Sequence, residues 1–177
     1  METTHFQTVL SAKKLFQKSL PYLMASNKSY SITINNNVTE KAGIQFLIES
    51  DKNFINPDKE SRKVIMELMG IDAKYSRAFD MILVEGHNNL QEIIELKQTD
   101  KITLIELKTT KKKLPELPKG FFFGATQNEF DIAEQFGDQY KFCFVSLHEE
   151  SLSYTLLSLK ELEKIIKTKR VQYQINL

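Results

Sequence analysis

At 177 residues, with 41% apolar and 27% charged, the chain is long enough for one domain with a substantial core, and its composition gives no sign of a second. A formal charge of +1 excludes a strong overall field, so any affinity for nucleic acid must come from where the lysines lie. The single cysteine, Cys143, excludes an intrachain disulfide, and no apolar run approaches membrane-spanning length, so a cytoplasmic protein with no membrane partner is expected.

In chain order, the amino terminus opens on acidic and polar residues rather than a secretory signal. Residues 6–25 then carry Phe6, Val9, Leu10, Leu15, Phe16 and Leu20 at helical spacing, broken near Pro21. This segment is expected to pack on the core or on a second subunit. Asn35, Asn36 and Asn37 mark a turn, after which Thr39 opens a helical pattern of Ala42, Ile44, Phe46 and Leu47. Pro57-Asp58 begins another helix, striped by Val64, Ile65, Leu68 and Met69 and stopped by Gly70. Glu60 in its first turn is either an acid favoured by the helix dipole or a functional group.

Asp80 heads the strand-like run at 81–84. Beyond the turn residues 86–89 stands Glu95-Leu96-Lys97, which reads either as the return strand of a hairpin or as part of a short helix capped by Asn88 or Asn89. The apolar run at 102–105 leads into a second triplet, Glu106-Leu107-Lys108. Strand alternation puts Glu106 and Lys108 on one face and Leu107 on the other. Two charges on a half-buried surface are costly unless something offsets them. A divalent metal shared by Asp80 and Glu106, with Lys108 beside it, would do so and would suit phosphodiester hydrolysis. The bland alternative is an ion pair on an exposed strand edge, common in any chain this charged.

Lys111, Lys112, Lys113 and Lys119 follow the second triplet as the best local site for a nucleic-acid backbone. Gly120 and Gly124 flank three phenylalanines, expected to be buried beneath the lysines or, alternatively, to stack on a base. Thr126 and Glu129 have the spacing of a capping box that opens a helix through Phe130, Ile132, Ala133 and Phe136. Gln127 and Asn128 sit at its start, where free amides favour an anion. Strands over 140–145 and 152–157, a helix over 159–166 and a closing strand over 171–177 complete the chain. The three histidines have no metal-ligand spacing, and neither a nucleophile elbow nor a phosphate-binding P-loop is present.

This order of acid, strand, Glu-x-Lys, helix and strand resembles the core of the PD-(D/E)XK nuclease superfamily over residues 58–147. The segments 105–110 and 121–129 are most similar to small restriction-type endonucleases. The resemblance implies an α/β fold with a restriction-endonuclease-like core: a mixed central β-sheet flanked by α-helices. Residues 1–57 would then be an N-terminal helical extension and 148–177 a peripheral region. It further implies a magnesium-dependent endonuclease acting on double-stranded DNA as a homodimer. Asp80 and Glu106 would bind the metal, with the Leu107 carbonyl as a further ligand and Glu60 completing the site through water. Lys108 would position or activate the attacking water, and Gln127 would contact the scissile phosphate or Lys108. Phe79 stands where the name-giving proline would be. Because the family's triplet leads directly into a loop and helix, the resemblance favours Glu106 and Lys108 over Glu95 and Lys97. A repair or junction-resolving nuclease, an inactive DNA-binding module of the same fold, and an unrelated α/β domain are the rival readings.

Overall fold

The computed structural model describes residues 31–171, apart from Glu85, His87 and Asn88. The amphipathic segment over 6–25 and the closing strand beyond Val171 lie outside the described residues. The elements are α1 (Ser31–Ser50), β1 (Phe54–Ile55), α2 (Lys59–Met69), β2 (Met81–Val84), α3 (Leu90–Leu96), β3 (Ile102–Thr110), α4 (Gln127–Phe136), β4 (Tyr140–Ser146), β5 (Ser153–Leu157) and α5 (Leu159–Ile165). The strands form one mixed sheet in chain order, antiparallel throughout except for the parallel pair β3 and β4. Parallel neighbours need a crossover, and α4 supplies it. The chain is therefore α/β, the class expected of it.

Both faces of the sheet are covered, which explains why β2 and β4 read as continuous apolar runs rather than alternating ones. On one face Ile65 of α2, Ile93 of α3, Ile132 of α4 and Leu162 of α5 pack over Ile82, Leu104, Tyr140, Phe142 and Phe144. On the other, Phe46 and Leu47 of α1 pack with Phe54, Met81, Ile105, Leu107, Cys143 and Val145. Burying each large apolar side chain of this kind contributes roughly 1.5–3 kcal/mol. Segment 1–57 is thus more than an extension, because its second half supplies a helix that closes one core and a strand of the sheet.

A turn at Asn35–37 is not formed, since α1 runs through those positions. Asparagine costs a helix no more than about 0.7 kcal/mol against alanine, and no glycine or proline is there to stop it. Further along, Gly43 lets α1 approach β3 closely: a Cβ there would stand 2.6 Å from Thr109 Cγ2 and 3.3 Å from Leu107 Cδ2. α2 has the ends its sequence predicts. The Asp58 carboxylate accepts from the Ser61 amide at 2.8 Å, and Gly70 closes the helix at φ 66°. The stretch between β2 and β3 holds α3, capped by Asn89, so the hairpin reading of Glu95-Leu96-Lys97 fails. No helix among the described residues is long and apolar enough to cross a membrane.

Candidate active site

The antiparallel ladder of β2 and β3 has Met81 opposite Ile105 as its last pair. The Asp80 amide still donates to the Ile105 carbonyl at 2.8 Å, but the next strand amide, that of Leu107, donates instead to Asp80 Oδ2 at 2.8 Å. A carboxylate thus stands in for the ladder where the two strands part. Amide and carbonyl of one strand residue face the same edge, so the Leu107 carbonyl is directed to that gap as well.

Three consecutive carbonyls ahead of the gap have no sheet partner and are held by side chains. The Tyr140 hydroxyl donates to the Ala78 carbonyl at 2.6 Å. From α2, the Arg62 guanidinium donates to the Phe79 carbonyl at 2.5 Å and the Asp80 carbonyl at 2.8 Å, and lies 4.4 Å over the Phe79 ring. Arg62 thus ties both the backbone and the ring of Phe79 to α2. Arg62 faces both Asp80 and Glu106, which offset part of its burial.

Glu106 and Lys108 share the face of β3 on which Ile102 and Leu104 are buried. Lys108 Nζ lies 2.7 Å from Glu106 Oε1 and 2.8 Å from Glu129 Oε2, with the lysine side chain only 12% exposed. The other Glu129 oxygen accepts from the Thr126 hydroxyl at 3.1 Å. The capping box expected of Thr126 and Glu129 is only half formed: Thr126 accepts from the Glu129 amide, while the Glu129 carboxylate is turned to Lys108. Glu40, from α1, is raised by burial and by the nearby Asp80 charge, with Lys108 opposing.

The electrostatics follow from this crowding. Burial, reinforced by the Asp80 charge, pushes the Glu106 carboxyl up to about 8. Its Oε2 is buried with no hydrogen-bond partner among the described residues. Asp80 is also raised, chiefly by burial, against the pull of the Leu107 amide, Lys108 and Arg62. For Lys108, burial is the largest effect and works downward, but Glu106 and Glu129 outweigh it and hold the ammonium above its ordinary value. Four carboxyl groups, Glu40, Asp80, Glu106 and Glu129, thus act on one another and on Arg62 and Lys108.

The remaining predicted residues lie elsewhere. Glu60 is exposed in the first turn of α2. At 100° per residue it stands 200° from Arg62, so the helix that aims Arg62 inward turns Glu60 to solvent. Gln127 is related to Glu129 in the same way; it is exposed and donates to Asp131 at 2.7 Å. Neither Glu60 nor Gln127 joins the cluster. Lys111, Lys112, Lys113 and Lys119 are exposed, and Lys113 pairs with Glu150. The three phenylalanines divide, with Phe121 and Phe123 against Phe144 and Phe122 94% exposed.

Sequence reasoning missed Arg62, Glu40 and the site role of Glu129. A signal was present in each case. Each stands on the buried stripe of its helix: Arg62 ahead of Ile65 and Met66, Glu129 ahead of Ile132 and Ala133, Glu40 ahead of Gly43 and Leu47. Among the described residues no group of three or more histidine, cysteine, aspartate and glutamate side chains is placed to hold a metal unaided. No family model, curated protein or solved structure matches the chain.

Proposed function

We propose that the chain is a magnesium-dependent endonuclease of the PD-(D/E)XK type that hydrolyses phosphodiester bonds in double-stranded DNA. The observation that carries the reading is the meeting of Asp80, Glu106 and Lys108 where β2 and β3 part. The element order α1, β1, α2, β2, α3, β3, α4, β4, with β3 parallel to β4, supports a restriction-endonuclease-like core. So does the poor stability case for the cluster, since a buried ion pair is often no better than well-packed apolar residues.

Magnesium fits the donors present. It keeps several waters and takes one or two carboxylates, so Asp80, Glu106 and the Leu107 carbonyl suffice without a third acid. The unpartnered Glu106 Oε2 is the buried atom that most needs a cation. When bound, the ion supplies Lewis-acid chemistry, polarising the phosphoryl oxygen and acidifying water. Lys108, kept as an ammonium by its two carboxylates, acts as a cation rather than a base: it orients the water and offsets charge developing on phosphate. Glu129, fixed by Thr126, keeps Lys108 in place. Arg62 and Tyr140 hold the segment that carries Asp80, and the exposed lysines attract the backbone. Cutting both strands calls for two such sites, hence a homodimer.

Supercoiled and linear duplex DNA incubated with the protein and magnesium should be cut, and chelation should stop it. Asp80→Asn, Glu106→Gln and Lys108→Met should each lower the rate by roughly a hundred- to a thousand-fold or more without loss of fold by circular dichroism. Undiminished metal-dependent cutting by all three rejects the assignment. The two-sided pairing of Lys108 favours a second reading, a DNA-binding module of this fold that does not cut. Calorimetry showing DNA binding with no heat of magnesium binding would select it.

A further inference from the structure

We propose that Phe122 is a stacking platform for a base displaced from the duplex, so that DNA with an unpaired or everted nucleotide is the preferred substrate of this site. The inference rests on the nuclease reading above and deepens it.

Phe144 pairs in register with Lys108 on the neighbouring strand. The rings of Phe121 and Phe123 meet the Phe144 ring edge-on, with centroids at 5.0 and 5.1 Å. They also touch each other at 6.3 Å. With the rings of Phe121 and Phe123 both packed against Phe144, the side chain between them is the one left outside. Its approach is fixed as well. The Phe121 amide donates to the Pro118 carbonyl at 2.9 Å across a turn whose third residue, Gly120, has φ 83°, and Leu114 is buried nearby. The result is a ring held 94% exposed on an anchored loop. Summing strand spacing, ring contacts, one Cα step and the ring's own reach places it no more than about 25 Å from the Lys108 backbone.

The chemistry around the ring selects its partner. Lys111, Lys112 and Lys119 are exposed on the same loop and supply phosphate attraction. An aromatic face stacks on any base, but a base inside a duplex already has both its faces covered. The ring therefore requires a nucleotide that is unpaired, or one cheap to extrude, as at a bulge, mismatch or branch point. Insertion into a lipid surface calls for several apolar groups, whereas the two neighbouring phenylalanines are turned inward.

The test uses the full chain, with magnesium chelated so that nothing is cut, and duplexes carrying 2-aminopurine either at a one-nucleotide bulge or fully paired. The wild-type protein should bind bulged DNA about ten-fold more tightly than paired DNA, the size of one base–aromatic stack, and should quench the bulged probe. Phe122→Ala should lose both the preference and the quenching while binding paired DNA as before; Phe122→Trp should restore both. Folding is not at issue for so exposed a side chain. Equal binding of bulged DNA by wild type and Phe122→Ala overturns the platform and leaves the nuclease reading intact, provided magnesium-dependent cutting is seen. Failure to bind either DNA, together with no cutting, overturns both. Loss of vesicle binding or of dimer mass in Phe122→Ala, with DNA binding unchanged, assigns the ring to lipid or to a second copy and overturns the platform.

Discussion

Glu95-Leu96-Lys97 closes α3 with all three side chains exposed, Leu96 to 56%, whereas Glu106-Leu107-Lys108 lies in β3 with Glu106 only 5% and Leu107 6% exposed. The tripeptides are identical, so composition decides nothing between them. In a helix, residues two apart diverge by 200° and the two charges cannot share a partner. In a strand they fall on one face, where Asp80, Glu129 and Arg62 can meet them. Chemistry at this spacing therefore depends on the backbone that carries it, and the largest expected effect tests that dependence. The double substitution Glu95→Gln/Lys97→Met should leave DNA cleavage within about two-fold of wild type, while Glu106→Gln or Lys108→Met alone removes a hundred-fold or more. A matching loss from the α3 pair would undo the contrast.

The second test uses proton binding. Glu106 is pushed up to about 8 from 4.5, mainly by burial. Between those values the folded chain holds a proton that the unfolded chain has released. Its contribution is complete below about pH 4.5 and is lost as pH rises through about 8. Glu106→Gln cannot titrate. Between about pH 5 and about pH 9 the wild-type melting temperature should therefore fall further than that of Glu106→Gln, by roughly 5 °C or more. Parallel slopes would mean that Glu106 titrates like an ordinary carboxylate. For the same reason, magnesium binding at neutral pH should release a proton in the wild type and none from this position in Glu106→Gln.

The contrast between the triplets also explains how much could be read from the chain. Strands β2, β3 and β4 and the helices α2, α4 and α5 show in the apolar periodicity, and so does the shared face of Glu106 and Lys108, because a period of two leaves no choice of phase. Helical residues are harder. Periodicity places helices on either side of Asp80 and Glu106, but the residues their starts suggest, Glu60 and Gln127, each lie two positions from the ones that enter the site, Arg62 and Glu129. Choosing an acid or amide by its place near a helix start ignores the direction of the buried stripe, and only the stripe says which charge is forced inward. Glu40 is hidden for another reason: it falls within residues 1–57, which the resemblance sets outside the nuclease core as a helical extension. The bond from Leu107 to Asp80 depends on where two strands separate, and no local pattern encodes that.

How tightly the β3 triplet is enclosed can be probed from behind, at Gly43 on α1. Alanine there would gain about 1 kcal/mol of helix propensity. It would also place a methyl 2.6 Å from Thr109 Cγ2, directly beside the strand that carries Lys108. Overpacking of that kind costs roughly 1–3 kcal/mol, so Gly43→Ala should be destabilising by about 1 kcal/mol in urea titration. Adding Thr109→Ser removes the opposing methyl. The double variant should recover wild-type stability or exceed it, and an equal loss in both would place the strain elsewhere.

The smallest effect belongs to the α3 triplet. Lys97 closes the helix in the left-handed region at φ 53°, with its amide bonded to the Ile93 and Ile94 carbonyls. Those bonds are backbone bonds and survive any side chain, while a Cβ in this conformation costs roughly 1 kcal/mol. Lys97→Gly should therefore raise the urea midpoint slightly, with a gain of at most about 0.5 kcal/mol once the extra entropy of a glycine in the unfolded chain is set against it. The same change at Lys108 would strip two buried carboxylates of their shared cation. A loss of stability in Lys97→Gly would show that the exposed lysine side chain itself contributes at the end of α3.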